Sequence, residues 1–337
     1  MLTPRRGSIL NLLISEYIAT ASPVGSKGLA SRADLRLSPA TLRNEMAELE
    51  DGGYIVRRHI SGGGIPSSKG YRHFVASMPA EPALPADDVE RVRREMLQAQ
   101  EDVELWTNLA AELLAGLVGN LAVVTTPRAP QSRVKRLELV MLQETLALLV
   151  LILQQAQTKQ RLVHLAAAAS PEDLRLTANK LNALYAGASS SDLPGSDAEH
   201  TPLERQVIDA ARDVLAVEDT GGLEEPQVTG LRHLLNQPEF ANSSKAGALV
   251  DVLEDRRALK GMLPRMLGAE HTRVLIGDEN EPGEMQECSV VIARYGDPDK
   301  ATGIIAVIGP TRLEYQRSIA AVRHLSKAMT GLVSAVS

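Results

Sequence analysis

Cysteine is nearly absent: Cys288 is the only thiol among 337 residues. One thiol excludes an intrachain disulfide and makes a thiolate metal site implausible, which fits a reducing cytoplasm. Aromatic residues are also scarce, at 3% of the chain. The cores must therefore be built from Leu, Val, Ile and Ala. Long apolar runs are missing as well. The most apolar stretch, Leu146–Leu153, is less than half the ~20 residues a membrane helix needs. It reads as a buried strand. The N-terminus MLTPRRGSIL lacks the apolar stretch of a signal peptide. The expectation is a cytoplasmic protein with no membrane partner.

What is present looks ordinary at first. Hydrophobic residues make up 44% and charged residues 23%. The length suffices for two or three domains. The net charge is −6, but its distribution is uneven. Residues 1–78 hold ten Lys and Arg against six Asp and Glu, a net of +4; the rest holds 26 against 36, a net of −10. Local charge rather than the total sets attraction to phosphate. The first 78 residues can therefore meet nucleic acid, and the acidic remainder disfavours non-specific binding.

Along the chain, residues 4–19 place Ile9, Leu12, Leu13 and Tyr17 at helical spacing. A break at 21–25 precedes a short second helix, SKGLASRA, which Ser26 can cap. A third helix starts with Ser38 as N-cap and Pro39 at its first position, and ends at Gly52-Gly53. Two short apolar-and-basic runs joined by Gly62-Gly63-Gly64 follow. Three helices and a two-stranded ribbon in this order predict a winged helix-turn-helix over residues 1–78.

Residues 79–86 form a Pro/Ala linker. From Val89 to Leu117, apolar residues recur at alternating spacings of three and four, which predicts a long helix ending near residue 118. Two readings of that seam stand open, packing on its own domain or an inter-chain coiled coil. Strand-like runs then cover Ala122–Thr126, Val134–Leu142, Leu146–Gln154 and Arg161–Ala167, before a helix over Pro171–Ala186. A boundary-like SSSDLPGSDAEHTP leads into a mostly helical stretch over 203–267. Strand-like runs resume at Arg273–Ile276, Cys288–Ala293 and Ile304–Ile308, and a last helix covers Leu313–Val333. The expectation is a multi-domain α+β chain in which an α+β domain is interrupted by a helical insertion.

On a helical wheel, Leu42, Met46 and Leu49 of the third helix cluster within about 60°. Asn44 points directly away from them, with Thr41 and Arg43 to either side. Ala40 and Ala47 are small enough to let the helix approach a groove. Arg can chelate guanine, Asn can pair with adenine, and Thr can bond a base edge or phosphate. Ser26 and Ser38, at helix N-termini, suit phosphate oxygens. In the ribbon, Arg57, Arg58, His59 and Ser61 sit in or beside the first strand, and Lys69 and Arg72 follow the second. A wing of this kind contacts phosphates or the minor groove. For Arg57 and Arg58 the competing reading is a pair with Glu50 or Asp51.

At these residues the sequence resembles the HrcA family of bacterial heat-inducible repressors. The resemblance rests on PVGSKGLA (23–30), SPATLRNEMAELEDGGYI (38–55) and HISGGGIPSSKGYRHFV (59–75). At the other end it rests on VLIGDEN (274–280) and GIIAVIGPTRLEYQRSIAAV (303–322). It implies an N-terminal winged helix (1–78), a linker and long helix (79–118), and a GAF-like domain in two parts (119–188 and 271–337). It further implies an inserted, mostly helical dimerisation domain (189–270). The implied function is a homodimer that binds double-stranded DNA at the inverted-repeat operator CIRCE, upstream of chaperonin and DnaK operons. The chaperonin GroEL is the implied modulator. One departure stands out: the family's wing reads Ala-Gly-Arg-Ile-Pro-Thr, and Gly64 replaces that arginine here. The alternative reading is a winged-helix regulator that senses a small molecule through the GAF-like domain.

Other constellations carry less. Asp278, Glu279, Glu281 and Glu284 fit no EF-hand and read as a solvated acidic turn. Gly309-Pro310-Thr311-Arg312 could hold an anion, but fixing the entry to the last helix is the simpler role. Gly62-Gly63-Gly64 is no phosphate loop, since Walker spacing is missing. No nucleophile–base pair is visible, and the sequence calls for no enzymatic activity, metal or cofactor.

Overall fold

The computed structural model describes residues 2–32, 37–57, 62–98, 102–128, 131–154, 157–195, 200–220, 225–240, 244–281, 283–298 and 300–336. It is a mixed α/β structure that divides into two compact units. The first comprises Met1–Thr125, Glu225–Arg294 and Ile304–Ala328; the second comprises Thr126–Glu224, Tyr295–Gly303 and Met329–Ser337. Among the described residues no helix is long and apolar enough to cross a membrane.

The first unit opens with α1 (Pro4–Thr20), α2 (Ser26–Arg32) and α3 (Pro39–Asp51). Thr3 and Ser38 cap α1 and α3, each followed by a proline that needs no N–H partner. The third helix packs on the other two through its apolar stripe. Ile9, Leu10, Leu13, Leu29, Leu42, Met46 and Leu49 are all buried. The strands β1 (Ile55–Val56) and β2 (Ile65–Pro66) pair antiparallel, and Val24 adds a bridge to Gly64 beside them.

A helix not anticipated from the sequence, α4 (Ser68–Ala76), follows β2 directly. Ser67 caps it by accepting from Gly70 N at 3.1 Å. The expected long helix over 87–118 is two helices, α5 (Ala86–Gln98) and α6 (Val103–Val118). Asp102 starts the second one, since its carboxylate accepts from Glu104 N at 2.9 Å and Leu105 N at 3.1 Å. The seam residues Val92, Met96, Trp106, Ala110, Leu113 and Leu117 are buried within this chain. Val89 and Val103 are half-buried, and Ala99 lies outside the described residues. The chain then forms β3 (Leu121–Val124).

The second unit contains β4 (Val134–Gln143), β5 (Leu146–Leu153) and β6 (Thr158–His164), antiparallel in the order β4-β5-β6. The helices α7 (Pro171–Tyr185) and α8 (Pro202–Thr220) cover one face of this sheet. Leu137, Leu149, Leu151 and Leu153 share a core there with Leu174, Leu181, Val207 and Leu215. Burial alternates along β5: Ala147, Leu149, Leu151 and Leu153 are buried, and Leu146, Leu148, Val150 and Ile152 only half-buried. The alternation follows from the two-residue period of a strand. Val140 and Leu162 flank Leu148 in register and are 48% and 53% exposed.

The rest of the described chain forms β7 (Gln227–Thr229), α9 (Leu231–Leu235), α10 (Ser244–Glu254), α11 (Arg256–Leu267), β8 (Thr272–Ile276), β9 (Cys288–Asp297), β10 (Ala301–Pro310) and α12 (Tyr315–Val336). With β3 these strands build a five-stranded sheet in the order β7-β3-β10-β9-β8. The stretch expected to be helical over 203–267 thus contributes a strand, β7, to that sheet. Burial is continuous over Cys288–Ala293 and Gly303–Pro310, as in sheets covered on both faces.

Candidate nucleic-acid interface

The N-terminal segment presents one face of α3 outward because the other face is committed. Leu42 and Leu49 are fully buried and Met46 is 3% exposed. A helix advances 100° per residue, so Ala40 and Asn44 come out on the opposite side and Arg43 on the flank, and all three are exposed. Among the described residues, neither Arg43 nor Asn44 makes a hydrogen bond or ion pair within the chain. Thr41 is half-buried, and its hydroxyl lies 2.9 Å from that of Ser38. Ser38 Oγ also accepts from Thr41 N at 3.1 Å. The pair fixes the first turn of α3 and leaves its exposed side chains pointing into solvent.

Beside this face lies a cleft of about 480 Å³ lined by Gly25, Ser26, Lys27, Arg43, Met46, Arg57, Gly62 and Gly63. Three cationic side chains line one cavity, with no carboxylate among its described lining residues, so it favours an anion. Lys27 was not among the residues singled out in the sequence. Its signal was its place next to Ser26 at the start of α2. Arg57 is 15% exposed, and its Nε lies 3.2 Å from Glu50 Oε2. That is the competing ion pair expected for it, yet among the described residues its Nη2 has no hydrogen-bond partner.

Arg58, His59 and Ser61 lie outside the described residues. The glycines that follow are placed, and they do not form an open tip. Gly64 exchanges two backbone hydrogen bonds with Val24, at 3.0 and 2.8 Å. A Cβ at Gly64 would stand 2.9 Å from Ile55 Cδ1 and 3.3 Å from both Leu13 Cδ1 and Met46 Cε. A side chain there starts among core groups, so Gly64→Arg would mix packing with any effect on DNA. Gly63 is stricter, because a Cβ would stand 2.5 Å from the Pro23 carbonyl carbon, which is backbone.

Lys69 and Arg72 sit on α4. Lys69 is exposed; its Nζ donates to the Gly52 carbonyl at 2.8 Å and lies 4.5 Å from the centroid of the Tyr54 ring. Arg72 is turned away from the cleft side chains. Its Nε donates to Glu279 Oε1 at 2.8 Å, its Nη2 donates to the Val274 carbonyl at 2.6 Å, and its guanidinium also pairs with Glu279 Oε2. Two sequence features are absorbed in the same way. Glu279 of the acidic run also accepts from Ile276 N at 3.0 Å. Arg312 of the Gly-Pro-Thr-Arg turn binds Glu239, and Gln237 at 2.6 Å. Cys288 is fully buried, and burial pushes its thiol up to about 12.

Comparison with known proteins agrees with the sequence resemblance. Residues 106–319 match the family described as HrcA protein C terminal domain. A heat-inducible transcription repressor HrcA from Dehalococcoides mccartyi is 38% identical over 99% of this chain and 96% of its own length. The heat-inducible transcription repressor HrcA of Roseiflexus castenholzii is 37% identical over 99% of this chain and 95% of its own. Among solved structures, a hypothetical protein at 2.2 Å resolution shares the fold, with a TM-score of 0.64, 18% identity and full coverage of both chains. Identity at this level over nearly the whole length leaves one conclusion: the chain belongs to the HrcA family of heat-inducible transcription repressors.

Proposed function

We propose that this protein is a dimeric repressor of chaperone operons that grips the inverted-repeat operator CIRCE through α3 and the β1-β2 ribbon. Residues 1–78 then act as a winged helix-turn-helix, with α3 in the major groove and the ribbon as its wing. The observation that carries this reading is the exposed Asn44 opposite the buried stripe of α3 and the exposed Arg43 on its flank, which lines the cationic cleft. Arg43 and Asn44 read base edges; Ala40 permits close approach; Thr41 bonds a base edge or phosphate. Ser26, Ser38, Arg57 and Lys69 hold backbone phosphates, together with Arg58, His59 and Ser61. Lys27 joins them. Arg72 is occupied by Glu279 and stands outside this set.

Two-fold symmetry of the operator calls for two copies of the chain. The row of exposed Val140, half-buried Leu148 and exposed Leu162 on the β4-β5-β6 sheet supports an apolar contact between copies, outside the 189–270 stretch that the family resemblance assigns to dimerisation. The five-stranded sheet serves as the GAF-like part, and the chaperonin GroEL modulates the repressor, as the family resemblance implies.

The test is base-specific. Arg43→Ala is expected to cost about 1–3 kcal/mol on the cognate duplex and to relax specificity at one base pair in each half-site. Loss of equal size on scrambled DNA would make Arg43 a phosphate contact, and no loss on either would remove α3 as the reading element.

A second reading is kept for one observation. A cleft of about 580 Å³ lies against Met262, Met266, Arg273, Leu275 and Glu279 in the first unit. Small-molecule sensing there would show as a ligand that shifts operator affinity.

A further inference from the structure

Arg72 and Arg312 reach across the same seam of the first unit in opposite directions. Arg72 leaves α4 and takes hold of the chain beside β8, with two bonds to the Glu279 carboxylate and one to the Val274 carbonyl. Arg312 leaves the turn before α12 and donates to the Ile18 carbonyl in α1 at 3.4 Å, while Glu239 and Gln237 hold its other nitrogens. Between them the Tyr71 and Tyr315 rings stand 5.7 Å apart, and both residues are buried. Tyr315 is itself fixed, since its hydroxyl lies 2.7 Å from Ser289 Oγ and donates to the Thr311 carbonyl at 2.6 Å.

The chain's backbone comes close at the same place. Gly277 has φ +56, and a Cβ there would collide with Ser68 Oγ at the start of α4. A planar guanidinium bound by two carboxylate oxygens has one orientation, unlike a lysine ammonium. Arg312 is held by three different acceptors instead, the Glu239 carboxylate, the Gln237 amide oxygen and the Ile18 carbonyl, and two arginines fixed at separate points remove the freedom to rotate about either one. The Glu279 carboxylate is held in turn by Ile276 N. Among the described residues, no hydrogen bond or ion pair joins these groups to Arg43 or Asn44 on α3.

We propose that Arg72, held by Glu279, is a positioning residue that sets the angle of the N-terminal segment on the five-stranded sheet, and thereby the half-site spacing the repressor accepts. The inference rests on the dimeric-repressor reading. Spacing between half-sites is a geometric property of how two reading heads are mounted. A rigid mount makes the protein selective for one spacing, and a loosened mount spreads its binding over several.

The experiment measures binding of the full-length chain to duplexes with two half-sites separated by a graded series of spacings, and to a single half-site. Glu279→Gln keeps an acceptor for Ile276 N but drops the charge; Glu279→Ala removes both. The unaltered protein is expected to prefer one spacing by about tenfold or more, and both variants to flatten that preference by about threefold or more with half-site affinity unchanged. The exchange Arg72→Glu with Glu279→Arg is expected to restore part of the preference, which a merely destabilised fold would not do. Retained spacing preference in both Glu279 variants would overturn the proposal. So would Arg72→Ala lowering half-site affinity and the salt slope at unchanged spacing preference, because Arg72 would then be a phosphate contact. If the unaltered protein bound no paired half-sites at all, the repressor reading would fall, and the positioning role with it.

Discussion

The five-stranded sheet and the β4-β5-β6 sheet are built from similar sequence but end in different surroundings. The run Leu146–Leu153 in β5 is as apolar as Ile304–Ile308 in β10. Every residue of the β10 run is buried. In β5 only alternate residues are, and Leu148 lies in an open row with Val140 and Leu162. A half-covered antiparallel sheet ordinarily shows polar residues outward. Leu146, Leu148, Val150 and Ile152 break that pattern, and contiguous exposed apolar surface marks a contact site. The same composition therefore serves a closed core in one unit and an open face in the other, where the proposed second copy would sit.

The largest expected effect lies in the closed sheet. Val291→Glu would bury an unpaired carboxylate in β9 and destabilise the fold by about 4 kcal/mol or more, read by chemical denaturation. A smaller loss would mean that β9 is less enclosed than its burial implies. Leu148→Glu in the open sheet should leave the fold within about 1 kcal/mol of the unaltered protein, because the residue is half-exposed. It should instead convert dimer to monomer in sedimentation, since a two-fold contact sets the new charge near its own copy. Unfolding by Leu148→Glu would break the comparison, and an intact dimer would move the contact elsewhere. The smallest effect sharpens the same contrast by thiol labelling. Burial holds the Cys288 thiol up to about 12, so native protein should resist alkylation at neutral pH until it unfolds. A thiol introduced by Leu162→Cys should label quickly in dilute protein and slowly at concentrations that favour the dimer.

Much of the secondary structure was legible because it depends on neighbours in sequence. Ser38 and Pro39 mark the start of α3, and the spacing of Leu42, Met46 and Leu49 gives its buried face. The apolar runs of β3, β5, β8, β9 and β10 stand where strands were expected. What was not legible depends on distant contacts or on short signals. The helix α4 hides behind SSKG, whose small residues resemble a loop until Ser67 caps them. The break before α6 rests on one carboxylate, Asp102, inside an unbroken seam pattern. The strand β7 has three residues, too few for a period. Gly64 looked like a wing tip because its partner Val24 lies 40 residues earlier. In the candidate site, the exposure of Arg43 and Asn44 followed from the wheel. The engagement of Arg72 did not, since Glu279 stands 207 residues away.

The most direct measurement is the affinity of the full-length chain for a CIRCE duplex and a scrambled duplex of equal length, across a salt series. The repressor reading predicts markedly tighter binding to CIRCE, with a steep fall in affinity as salt rises from several phosphate contacts. Equal affinity for both duplexes would contradict recognition of this operator, and no binding at low salt would contradict a DNA-binding role for α3 altogether.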